Sequence, residues 1–211
     1  MVILKQLPYY TKQNLGLFLG KKGANLNYWL GKLRREKEII QLKKGFYVSN
    51  KYIELLVQSP KESEFYLEYL SNIIREPSYV SLEYILAKSG LIPEGVFALT
   101  AITTKSSRKY TSEIASFIYR KIKPEFYGGY EFISFKDKKI KTATLWKALF
   151  DFLYFKRFTS VSEIREYLLK TGRFNWEVLS DSDKLQFIDF AEKSKSEKMI
   201  TISRQIKRYV N

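Results

Sequence analysis

Between Lys21 and Lys44 the chain carries side chains that donate hydrogen bonds or positive charge at a spacing that gathers them on one side of a helix. With Leu26 at the centre of the buried side of a helix turning about 100° per residue, Leu30, Leu33 and Lys37 fall on the same side and Trp29 lies beside them. The opposite side then carries Ala24, Tyr28, Gly31, Lys32 and Arg35, with Asn27 at its edge. Asn pairs bidentately with adenine and Lys or Arg with guanine, so this mixture suits the edges of bases in a major groove. Gly31 lets the helix backbone come close, at a cost of about 1 kcal/mol in helix propensity. Lys21 and Lys22 before the helix, and Lys43 and Lys44 after it, are spaced to neutralise phosphates on either side. The partner this set implies is duplex DNA.

Such a surface needs short, well-delimited elements to hold it. Thr11 is a capping residue for a helix running to about Gly20, with Leu15, Phe18 and Leu19 inward, and "GKKG" breaks the chain before a second helix begins near Ala24. In "IIQLKKGFYVS" the apolar Ile40, Leu42, Phe46 and Val48 alternate about a turn containing Lys43, Lys44 and Gly45, the pattern of a β-hairpin. Helix, turn, basic helix and basic hairpin in succession predict a winged helix-turn-helix over residues 1–58. A break near "VQSPKESE" opens a helix from about Lys61 to Arg75. A short strand and helix in "SYVSLEYILAKSGLIPE" follow. Three β-rich runs come next, "VFALTAITT", "EIASFIYRKI" and "YEFISF", and then the amphipathic "TATLWKALFDFLYFKR". Residues 59–157 thus read as an α/β domain, and residues 158–211, with apolar positions three and four apart throughout, as a helical C-terminal region. The fold class expected is mixed α and β.

Composition narrows the chemistry. The 211 residues contain no Cys and no His, which removes disulfides, thiolate nucleophiles, imidazole bases and His- or Cys-ligated metals. No cofactor or metal is expected, nor an enzyme. The remaining enzymatic option is a magnesium-dependent nuclease using Glu125, Glu131 and Asp137 with Lys139 nearby. The 37 basic and 22 acidic side chains leave a net charge of +15, which favours a polyanionic partner. Residues 1–58 hold 11 Lys or Arg against 3 Glu, so about half of that excess sits in the first quarter of the chain. No apolar run approaches the ~18 residues of a membrane span, and "MVILKQLPYY" lacks the features of a secretory signal. The expected address is cytoplasmic, away from membranes.

The middle of the chain, in "SYVSLEYILAKSGLIPE", "ALTAITTKSSR", "FYGGYEF" and "TATLWKALFDFLYF", resembles the AbiEi antitoxins of bacterial abortive-infection systems. The resemblance covers roughly residues 8–157, in the same order. The family pattern falls here on Tyr79, Ser81, Leu82, Ala87 and Gly90 to Pro93, then on Lys147, Ala148, Leu149 and Asp151. Trp146 stands where relatives often have Glu, and a His common in the strand before the Pro is missing from "FIYRKIKPEF". The resemblance implies an N-terminal domain that represses its own operon and a following region that counteracts a co-encoded nucleotidyltransferase-like toxin, AbiEii, in what are termed type IV systems. By spacing alone, Tyr79, Leu82, Ile85 and Leu86 are strand and helix core, and Lys147 and Asp151, four apart, are a surface ion pair. A ligand-responsive repressor with no toxin fits the same N-terminal domain.

Overall fold

A computed structural model describes residues 7–57 and 59–209, and they form a mixed α and β structure with two sheets. The N-terminal part runs β1 (Tyr10–Thr11), α1 (Lys12–Leu19), α2 (Gly23–Arg35), β2 (Ile39–Lys43), β3 (Phe46–Ser49) and α3 (Asn50–Val57). Thr11 opens α1 through a capping box. Its hydroxyl accepts from the Asn14 amide at 3.1 Å, while the Asn14 side-chain oxygen accepts from the Thr11 amide at 3.4 Å. Gly20, left-handed at φ 62°, closes the helix. The two helices cross so tightly at Gly16 that a Cβ there would lie 3.0 Å from Leu26 and 3.1 Å from the Lys21 carbonyl.

Two sequence expectations fail in this unit. Phe18 is not inward but 45% exposed, its ring edge-on to Tyr10, because Leu15, Gly16 and Leu19 take up the side of this short helix that meets α2. Lys37 is not on the buried side of α2 either. The helix ends at Arg35, and Lys37 sits in the turn beyond it with φ 55°.

The first sheet has strand order β1-β3-β2, all antiparallel. One face, with Tyr10, Ile39 and Tyr47, packs on Leu15, Leu26, Leu30 and Leu33. The other face sends Ile40, Leu42 and Val48 into the main core, where they meet α4 (Pro60–Ile74). Period-two alternation thus gives the hairpin two buried faces, and the N-terminal unit is seated on the rest of the chain.

The second sheet has six strands in the order β6-β7-β5-β4-β9-β8. These are β4 (Ser78–Val80), β5 (Ala98–Thr103), β6 (Arg108–Thr111), β7 (Ser116–Lys121), β8 (Tyr130–Phe135) and β9 (Lys138–Ala143). The pairs β4/β9 and β5/β7 are parallel and the rest antiparallel. Helix α4 lies on one face, where the Tyr119 hydroxyl donates to the Ser71 carbonyl at 2.6 Å. Helices α5 (Glu83–Lys88) and α6 (Leu145–Phe155) lie toward the other. The C-terminal region comprises α7 (Val161–Glu166), a π turn over Tyr167–Thr171, α8 (Asp181–Lys193) and α9 (Glu197–Tyr209). It is packed rather than appended: Phe187 and Phe190 meet Phe150 at ring separations of 6.1 and 4.7 Å, and Met199, Ile202 and Ile206 are buried in the same core.

Candidate nucleic-acid interface

Leu26, Leu30 and Leu33 hold α2 down, so its remaining sides are presented outward. The hairpin tip is tied beside it: the Lys12 amide, at the start of α1, donates to the Gly45 carbonyl at 2.9 Å, and Gly45 turns the chain with φ 81°. Between α2 and the tip runs a groove lined by Lys12, Asn27, Gly31, Arg34 and Lys44. A second hollow, between α1 and α2, is lined by Lys12, Lys21, Lys22, Gly16 and Leu17. Tyr28 (62% exposed), Lys32 and Arg35 stand on the adjoining flank of α2. Lys32 sits 4.9 Å over the Trp29 ring and 3.8 Å from the Glu36 carboxylate.

Of the eight expected DNA-binding side chains, Lys21, Lys22, Asn27 and Lys44 line these two grooves, and Tyr28, Lys32 and Arg35 lie outside both linings on the next flank of α2. Lys43 does not join them. Its ammonium donates to the Ile74 carbonyl at the end of α4 and lies 5.8 Å from the Tyr110 ring of β6. The register between β2 and β3 shifts between Gln41 and Lys43, and that irregularity turns Lys43 toward the middle of the molecule. Two residues were missed. Arg34 shares a stripe of α2 with Asn27 and Gly31, a signal present in the sequence, whereas Lys12 enters only through the tie to Gly45.

The residues named by the family resemblance form a second cluster of a different kind. Tyr79 and Ser81, on and just after β4, donate to Asp151 Oδ2 at 2.9 and 2.7 Å, and Lys147 donates to Oδ1. Lys147 and Asp151 are not the surface pair that their spacing suggests, because both side chains are wholly buried. Helix α6 is apolar nearly all round and lies between the sheet and α8, so no side of it is free for ions. The Lys147 ammonium is 5.5, 5.1 and 5.3 Å from the rings of Tyr79, Phe150 and Phe190. Burial pushes Asp151 upward against the pull of Lys147, and burial lowers Lys147 against the pull of Asp151. Gly129 in "FYGGYEF" is left-handed at φ 66°, and a Cβ there would fall within 2.8–2.9 Å of Trp146 and Lys147. Leu82 is buried at φ 63° and Gly90 ends α5 at φ 77°. These two are turn positions outside the network. Sealed from solvent, the network can lock α6 to β4 but offers no atom to a substrate.

The three carboxylates of the nuclease option do not converge. Glu125 is exposed beside Lys123, Glu131 is registered with Thr142 near the end of β9, and Asp137, paired with Lys138, lies at the far end of the β8–β9 hairpin. Among the described residues no group of three His, Cys, Asp or Glu is placed to hold a metal ion, and no helix is long and apolar enough to cross a membrane. No protein-family model and no curated protein matches the sequence.

Proposed function

We propose that the chain is a DNA-binding antitoxin: its N-terminal unit is a winged helix-turn-helix that represses its own operon by binding promoter duplex, and the region after residue 58 counteracts a co-encoded nucleotidyltransferase-like toxin of the AbiEii kind. The observation that carries the first half is the groove between α2 and the hairpin tip, where Asn27 and Gly31 lie among Lys12, Arg34 and Lys44. Asn27 and Arg34 are of types that read base edges, while Lys12, Lys21, Lys22 and Lys44 suit phosphates. Support for the second half is the resemblance, together with the fact that Tyr79, Ser81, Lys147 and Asp151, drawn from two stretches far apart in the chain, form one network.

The test has two arms. The purified 211-residue chain is titrated with labelled duplex from upstream of its gene at several salt concentrations. Each phosphate neutralised adds about 0.9 to the negative slope of log affinity against log salt, so a flat response sinks the DNA half. The product of the adjacent open reading frame is then expressed with and without this chain. Failure to restore growth sinks the antitoxin half and leaves a repressor.

A further inference from the structure

The stretch "TTKSSRK", within the part of the chain that resembles the antitoxin family, has so far no role. It forms the turn from β5 into β6, at one edge of the large sheet, and Lys105, Ser106, Ser107, Arg108 and Lys109 are all exposed. The turn is built rather than loose. Thr103 Oγ1 donates to the Pro77 carbonyl at 2.7 Å and accepts from the Lys105 amide at 3.2 Å. Ser107 Oγ accepts from the Lys121 amide at 2.9 Å, and the Arg75 guanidinium donates to Ser106 Oγ at 2.9 Å. Residues 104–109 contain three cations and no acid. The Lys105 ammonium donates to the Glu76 main-chain carbonyl, and among the described residues it forms no ion pair.

Its place in the fold gives the turn meaning. Strand β2 of the N-terminal hairpin packs beside β6, and Lys43, at the end of β2, faces this region. The Lys43 ammonium is depressed first by burial and then by the charges of Arg75 and Lys105, which places those cations within electrostatic reach of it. The next residue, Lys44, lines the groove along α2 with Asn27 and Arg34. Positive charge therefore passes from α2 across the hairpin tip to the β5–β6 turn. Like charges gathered this way repel one another until a polyanion neutralises them. A duplex with α2 in its major groove presents phosphate rows on both sides of that groove, and a rigid cationic turn beyond the hairpin meets the row that follows.

We infer that the β5–β6 turn, through Lys105 and Arg108, grips the sugar-phosphate backbone of the same duplex, so that the DNA footprint extends from the N-terminal unit onto the middle of the chain. This rests on the DNA-binding function proposed above and deepens it. The 211-residue chain is titrated with two labelled duplexes, one from upstream of its gene and one of random sequence, across a salt series. The Lys105→Ala/Arg108→Ala variant is expected to bind both duplexes more weakly by a similar factor. Its salt slope should fall by up to about 1.8, at ~0.9 per lost phosphate contact. The charge-preserving Lys105→Arg/Arg108→Lys variant should restore both quantities. Both positions are exposed, so the thermal midpoint serves as a check that each variant is folded.

Wild-type affinity and slope in the alanine variant, in an experiment where Lys44→Ala lowers both, would place the turn outside the footprint and leave the DNA-binding function standing. Weakening that the charge-preserving variant fails to restore would overturn the backbone contact, since shape and not charge would then be at work. No binding by the wild-type chain to either duplex would overturn the inference and the DNA-binding function together.

Discussion

The two clusters in this molecule use the same residue types in opposite ways. Around α2 and the hairpin tip, Lys and Arg side chains stand in solvent along open grooves, with few carboxylates beside them. Around β4 and α6, one Lys and one Asp are shut inside a cage of aromatic rings with two hydroxyls completing the set. A charge kept in water costs little and stays free to meet a partner, whereas a buried charge is tolerated only where every partner is built in. The first region is therefore open to solvent and to any partner, and the second is closed and holds the fold. Perturbation should separate them: changes in the buried cluster ought to register as stability, and changes on α2 as affinity.

The largest expected effect is on stability at alkaline pH, and it falls on the middle region. Tyr66, Tyr79, Tyr84 and Tyr119 are all held protonated well above the ordinary tyrosine range, first by burial, with the Asp151 charge adding to Tyr79 and the Glu68 charge to Tyr84. In the unfolded chain each ionises near pH ~10. A folded pKa raised above the unfolded one gives stability that is complete below about pH 10 and lost as pH climbs toward the folded values. The loss is about 1.4 kcal/mol per pH unit for each tyrosine that stays protonated in the fold. Denaturant midpoints measured from pH 9 to 12 should fall steeply, in step with tyrosinate absorbance. A flat midpoint over that range would mean these hydroxyls are not sealed.

Next in size is removal of one ion. Lys147→Ala leaves Asp151 buried without its cation and should cost about 3–5 kcal/mol in urea unfolding. The paired replacement Lys147→Met/Asp151→Leu should cost less than either single change. It still strands the Tyr79 and Ser81 hydroxyls, so a residual loss of about 1–3 kcal/mol is expected. A paired cost equal to the sum of the two single costs would show that the ions do not act on each other. Gly129→Ala presses a methyl into Trp146 and Lys147 at a left-handed φ, and should cost about 1–3 kcal/mol. Thermal melts would show no shift if the loop simply moves aside.

The contrast also explains what the sequence disclosed. Helices α1 and α2, the hairpin and α4 were legible because local signals agreed: a capping Thr11, glycines after the helix and in the turn, and Leu26, Leu30 and Leu33 at helical spacing. Strands β6 and β9, "RKYT" and "KKIKTA", were missed because their lysines and arginines hide the period-two pattern that tertiary pairing nevertheless exploits. The burial of Lys147 and Asp151 was equally invisible, since four-residue spacing says which face two residues share and not what covers it. Lys43 was misplaced for a related reason. A register irregularity between Gln41 and Lys43 decides which way a hairpin side chain turns, and nothing in "QLKKGF" announces it.

The smallest effect on stability is expected where the effect on binding is greatest. Arg34→Ala and Lys44→Ala change exposed side chains on the groove beside α2, and surface changes of this kind stay within about 0.5 kcal/mol. Their consequences for DNA should differ. Lys44, at the hairpin tip, is placed for phosphates, so its loss should weaken every duplex alike and lower the salt slope by about 0.9. Arg34 shares its stripe with Asn27 and Gly31 at the floor of the groove, so its loss should alter preference at one base pair by about 1–3 kcal/mol. Competition titrations against a panel of single-base operator variants, run beside a salt series, separate the two. If Arg34→Ala weakens all sequences equally while Lys44→Ala changes preference, the duplex lies the other way round in the groove, with bases toward the hairpin tip and phosphates along α2.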